Sequence, residues 1–135
     1  MKGKILLIDD DRLPTDYYAY ALKEEGMDVT HCEDANAARQ QWRDLQPALV
    51  ILDIMMPPGT EVRAEDTKEG LHSGIVLYKL LRQDLPTTPV IVLTNLLAAS
   101  ELFLEDDGNL RVLRKARVPP LELAAISKLM LAEVG

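Results

Sequence analysis

Three stretches of this chain are apolar almost without a break: KILLI (4–8), ALVIL (48–52) and PVIVL (89–93). A strand that alternates apolar and polar side chains leaves one face to water. A strand without alternation has no such face and must be covered on both sides, as the inner strands of a parallel sheet are. Two weaker runs, DVTHC (28–32) and LRVLRK (110–115), bring the number of candidate strands to five. Between the runs lie TDYYAYALKEEG, ANAARQQWRDLQ, GIVLYKLLRQD and NLLAASELFLEDDG, and PPLELAAISKLMLAEV follows the last. In the third of these, Ile75, Leu77, Tyr78 and Leu81 recur at helical spacing. Gly26 and Gly108 read as helix stops, and Pro119–Pro120 reads as a helix start. Strict strand–helix alternation predicts an α/β, doubly wound, five-stranded parallel sheet with right-handed crossovers and helices on both faces.

The 135 residues fit one domain, 1–135, large enough to bury a core. A net charge of −7 argues against direct nucleic-acid binding or a membrane-surface role. The single cysteine, Cys32, rules out an internal disulfide and suits a reducing cytoplasm. The first apolar run is too short for a signal peptide and ends in Asp9, Asp10 and Asp11. No stretch approaches the ~20 apolar residues needed to span a bilayer.

The chemistry sits where the strands stop. The first predicted strand ends in Asp9 and Asp10, the third in Asp53, the fourth in Thr94 and the fifth in Lys115. Sites in open α/β sheets form at this carboxyl edge, so residues distant in sequence are expected to meet there. A carboxylate at the end of a buried strand is costly unless something pairs with it. Several carboxylates together repel one another and call for a cation. An all-oxygen acidic set suits Mg²⁺. A lysine, a hydroxyl, a metal and a carboxylate are also the parts that phosphoryl transfer requires, with a carboxylate able to serve as nucleophile.

The order LLIDDD, LVILDIMMP, VIVLTN, VLRK resembles the receiver domain of bacterial two-component response regulators over nearly the whole chain. The resemblance implies strand order 2-1-3-4-5. It makes Asp53 the phosphoacceptor, with Mg²⁺ held by Asp9, Asp10, Asp53 and the backbone carbonyl of Met55. Thr94 and Lys115 bind the phosphoryl group and relay its arrival. The donor would be a sensor histidine kinase or a histidine phosphotransfer protein, and the output a downstream protein target. Such a domain supplies the chemistry of its own phosphorylation and is not a turnover enzyme. Met55 and Leu96 flank the path of the hydrolytic water and Asn95 narrows it, which implies slow self-dephosphorylation.

The chain departs from the family pattern at four places. Ala116 follows Lys115 where proline is usual, so a trans peptide is expected. Val112 stands where an aromatic switch residue is common. Asn95 replaces a small residue. A polar insert at about 58–73 greatly exceeds typical strand–helix loops of ~2–6 residues, and reads either as a solvated loop or as a partner-binding segment.

Two other functions compete. LLIDDDR with Thr94 and Lys115 also fits a haloacid-dehalogenase-like phosphohydrolase using Asp9 as nucleophile, although the acidic pair Asp106–Asp107 then precedes the lysine instead of following it. A receiver fold serving as a phosphate-independent interaction module is the other. Among the remaining residues, Asp11 reads as a helix cap or solvated side chain. His31 and His72 lack ligand spacing and read as strand or surface residues. Cys32 and Trp42 read as packing residues. Arg111, Arg114, Lys115 and Arg117 read either as a surface for an acidic partner or as solvated side chains around one functional lysine.

Overall fold

The computed structural model describes residues 3–9, 12–33, 35–53, 77–94, 109–114 and 117–134. The five apolar runs become strands β1 (Lys4–Ile8), β2 (Asp28–Cys32), β3 (Leu49–Asp53), β4 (Val90–Thr94) and β5 (Leu110–Arg114). All neighbours run parallel, in the order β2-β1-β3-β4-β5. Four helices are described: α1 (Arg12–Glu24), α2 (Ala35–Leu45), α3 (residues 77–84) and α4 (Pro120–Val134). The predicted strand order and the start of the last helix at Pro120 both agree. The helical pattern after Thr94, Gly108 and the insert at 58–73 lie outside the described residues.

Burial follows from position in the sheet. The side chains from Ile5 to Ile8, Leu49 to Leu52 and Val90 to Leu93 are all buried, because β1, β3 and β4 have neighbours at both edges and helices over both faces. The edge strands β2 and β5 bury fewer side chains. Alternate residues then sort to opposite faces, as the pleat requires. Ile5, Leu7, Leu49, Ile51, Ile91 and Leu93 join Tyr18, Leu22, Leu123 and Met130 in a core under α1 and α4. Leu6, Ile8, Val50, Leu52, Val90 and Val92 join Trp42, Leu77, Tyr78 and Leu81 in a second core under α2 and α3.

The helix ends show why the turns fall where they do. At the end of α1, Gly26 adopts φ +87°. Its N–H donates to Lys23 O (2.9 Å) and Met27 N–H donates to Leu22 O (3.2 Å), while Met27 and Leu22 share one core. That is the Schellman arrangement, and its left-handed residue favours glycine. Just past α2, Gln46 adopts φ 49°. Its main-chain N–H donates to Trp42 O and its side-chain amide to Arg43 O, so it satisfies two carbonyls of the last turn.

α2 and α3 are joined by one carboxylate. Asp84 accepts from Arg39 Nε (2.9 Å), Trp42 Nε1 (2.8 Å) and Arg43 Nε (3.3 Å). Positions 39, 42 and 43 lie on one helical face, which is why all three donors reach the same oxygen. Trp42 is fully buried as the packing reading expects, and it also carries this bond. At the opposite edge from the strand ends, Arg82 donates to the carbonyls of Leu85, Thr88 and Asn109 and to the Tyr78 hydroxyl. It ties the end of α3 to the starts of β4 and β5. Among the described residues no helix is long and apolar enough to cross a membrane.

Hydrogen bonds from Arg39 above all, then from Trp42, hold the Asp84 carboxyl far below the usual carboxylate range. A depressed carboxylate pKa stabilises the fold above the unfolded value and loses that contribution as pH falls toward the folded one. Asp84→Asn is therefore expected to lower the thermal unfolding midpoint at neutral pH. The gap between parent and variant should close as pH falls below about 4. A gap that stays constant through acid titration would show that Asp84 acts by packing alone.

Candidate functional site

The register of the sheet brings the chemical residues to one edge. Ile8, Leu52, Val92 and Val112 form one row across β1, β3, β4 and β5. One residue further along lie Asp9, just beyond β1, and Asp53, the last residue of β3, which pairs with Leu93. Adjacent strands lie about 4.8 Å apart, so the main chains of Asp9 and Asp53 are near neighbours. Thr94 closes β4 one step beyond that row and pairs with Arg114, the last residue of β5. β1 is also where the order reverses, since β2 lies on one side of it and β3 on the other. A crevice opens at such a switch point.

Asp9 is the one site residue whose side chain the structure describes. It is 1% exposed. Its main-chain N–H donates to Cys32 O at 3.1 Å. Its carbonyl receives the His31 ring, with Nε2 to O at 2.7 Å. A carbonyl oxygen bears no proton, so Nε2–H is the donor. Nδ1 lies 4.0 Å from Glu33 Oε1. The sequence reads His31 as a strand or surface residue, and it lies in β2, but its ring is turned to the main chain of a site carboxylate. The pattern of the sequence carries no signal for this beyond the register Leu7↔His31, which needs the fold to be known.

Asp53 and Thr94 end their strands as expected, and their side chains lie outside the description. The assignments to Asp10, Met55, Asn95, Leu96, Lys115 and the Lys115–Ala116 peptide also lie outside the described residues. The described side chains alone form no cluster of three metal-binding groups. The donor types at the edge are carboxylates and a hydroxyl, a hard oxygen set that fits a small divalent cation and excludes soft-metal preference.

A second contact reaches the edge from α1. Buried Tyr18 donates its hydroxyl to Val118 O at 3.2 Å. Val118 lies in the connection from β5 to α4, three positions after Lys115 in sequence. The same connection is closed by Leu123 N–H on Pro119 O (3.0 Å). Tyr18 thus anchors the segment that carries the chain away from the lysine. In β5, Arg111 is exposed and Arg114 partly so.

Residues 5–105 match the sequence model of the response regulator receiver domain. The DNA-binding response regulator MtrA of Mycolicibacterium paratuberculosis is 32% identical over 94 residues, 70% of this chain and 36% of that protein. The alkaline phosphatase synthesis transcriptional regulatory protein PhoP of Bacillus subtilis is 30% identical over 94 residues, 70% of this chain and 34% of that protein. The chain therefore spans about a third of the length of these curated relatives. Among solved structures, the BeF3-activated receiver domain of Klebsiella pneumoniae RstA is similar with a TM-score of 0.68 at 27% identity, covering 96% of this chain and 98% of that one. The receiver domain of the Francisella response regulator 1452 has a TM-score of 0.76 at 24% identity, covering 99% of this chain and 100% of that one, a likeness of fold.

The Tyr18 contact yields a direct expectation. Tyr18→Phe keeps the ring and leaves the buried Val118 carbonyl without its donor, which should cost about 1 kcal/mol in denaturant unfolding. An unchanged midpoint and slope would show that water satisfies that carbonyl equally well.

Proposed function

Because the chain belongs to the family of response regulator receiver domains, we propose that it is a phosphorylation-switched signalling receiver whose acceptor is Asp53. The observation that carries this reading is the place of Asp53, ending a fully buried strand beside Asp9 at the point where strand order reverses. The family match gives no support to the hydrolase alternative with Asp9 as nucleophile.

In this reading a carboxylate oxygen of Asp53 attacks the phosphorus of a phosphohistidine. The new oxygen–phosphorus bond replaces the nitrogen–phosphorus bond, and the released imidazole nitrogen keeps the electron pair and takes up a proton from solvent. Asp9, Asp10, Asp53 and the carbonyl of Met55 would hold Mg²⁺, which neutralises the charge gathered at the phosphoryl oxygens. Thr94 offers a hydroxyl to one such oxygen and Lys115 an ammonium to another. The domain performs this chemistry once on itself and its product is a changed binding surface. Val112 is half-buried against the α2 and α3 core and has no ring to swing, so the change passes instead through Thr94 and the residues after it. The donor is a sensor histidine kinase or a histidine phosphotransfer protein, and the output a protein partner.

Incubation of the parent with Mg²⁺ and a small acyl phosphate should add the mass of one phosphoryl group, and Asp53→Asn should abolish the gain. Retention of the gain in Asp53→Asn with its loss in Asp9→Asn would move the acceptor to Asp9.

The persistence of the phosphorylated form is a separate expectation. Met55 and Leu96 present no group able to align a water for in-line attack. Decay of the phosphorylated parent should be slow, and Met55→Asn with Leu96→Glu should accelerate it by about tenfold or more. Fast decay in the parent would remove these residues from control of the water.

A further inference from the structure

Both main-chain groups of Asp9 are met by β2. Its N–H is paired with Cys32 O, as a parallel ladder requires, and β2 ends at that residue. The carbonyl of Asp9 is then met by a side chain: His31 reaches two positions forward to place Nε2–H on it at 2.7 Å. The ring is mostly covered, with 19% of its side-chain surface exposed, so the bond is sheltered from competing water. His31 pairs with Leu7 across β1 and β2, which places it on the α1 and α4 face of the sheet.

A peptide unit is planar. Fixing the carbonyl of Asp9 therefore fixes the plane of the bond that leads from Asp9 into Asp10. Both are among the carboxylates that the proposed function assigns to the cation. Preorganised ligands bind a metal more tightly than ligands that must first be ordered, and groups that orient ligands are accordingly part of the site's energetics.

We propose that His31 is a positioning residue for the divalent-cation site: by holding the carbonyl of Asp9 it sets the exit of β1 for cation binding, without itself touching the ion. The inference rests on the reading of Asp9 and Asp10 as cation-holding residues.

Calorimetric titration of the full chain with Mg²⁺ tests it, using the parent, His31→Phe, His31→Gln and Asp10→Ala. Phe keeps a ring without the donor, and Gln restores an N–H at similar reach. Loss of one sheltered hydrogen bond should weaken Mg²⁺ binding by about three- to tenfold in His31→Phe, with recovery toward the parent in His31→Gln. A merely structural bond would lower the unfolding midpoint of His31→Phe and leave its Mg²⁺ affinity equal to the parent's, and that equality overturns the proposal while the cation site stands. Unchanged affinity in Asp10→Ala would instead remove the cation-site reading, and the proposal with it. Should His31→Phe not fold, the imidazole nitrogen resonances of the parent decide the matter. Saturating Mg²⁺ should shift the Nε2–H signal of His31, and an unmoved signal overturns the proposal.

Discussion

The whole arrangement depends on one constraint: β1, β3 and β4 have no face in water. Every side chain from Ile5 to Ile8, from Leu49 to Leu52 and from Val90 to Leu93 is buried, so these strands have no room for polar groups along their length. Polar chemistry is thereby driven to the strand ends. Parallel pairing then puts like ends at one edge, and the register places Asp9 and Asp53 in the same row. The site is a consequence of sheet architecture before it is a consequence of any particular residue.

Two kinds of tie hold this frame. At one edge Arg82 gathers the carbonyls that precede β4 and β5, and between α2 and α3 the Asp84 carboxylate gathers three donors. At the other edge two ties among the described residues are aimed at connections. His31 holds the residue that leaves β1, and Tyr18 holds the segment that follows β5.

Much of the fold was legible because its determinants are periodic. Unbroken apolar runs gave the inner strands, and their alternation with helical patterns gave a parallel sheet. Pro119–Pro120 marked the start of the last helix because proline has no N–H to lose at the first helical turn. The clusters were another matter. His31 carries no ligand spacing and Asp84 no distinctive neighbours, yet each meets a partner decades of residues away or on another strand. Trp42 packs in the core as its helical position implies, but its bond to Asp84 adds a polar role that apolar periodicity does not encode.

By itself, then, the sequence determined the strands, their parallel order within a family pattern, and the polar residues that end them. Those features follow from local periodicity and from the cost of burying a charge. Only the tertiary structure decided which main-chain groups those ends lean on: the Asp9 carbonyl on His31, the Val118 carbonyl on Tyr18, and Asp84 on three donors of one helix face. Hydrogen-bond partners are selected by distance and direction at the scale of an ångström, and that geometry exists only after the sheet register and helix packing have been set.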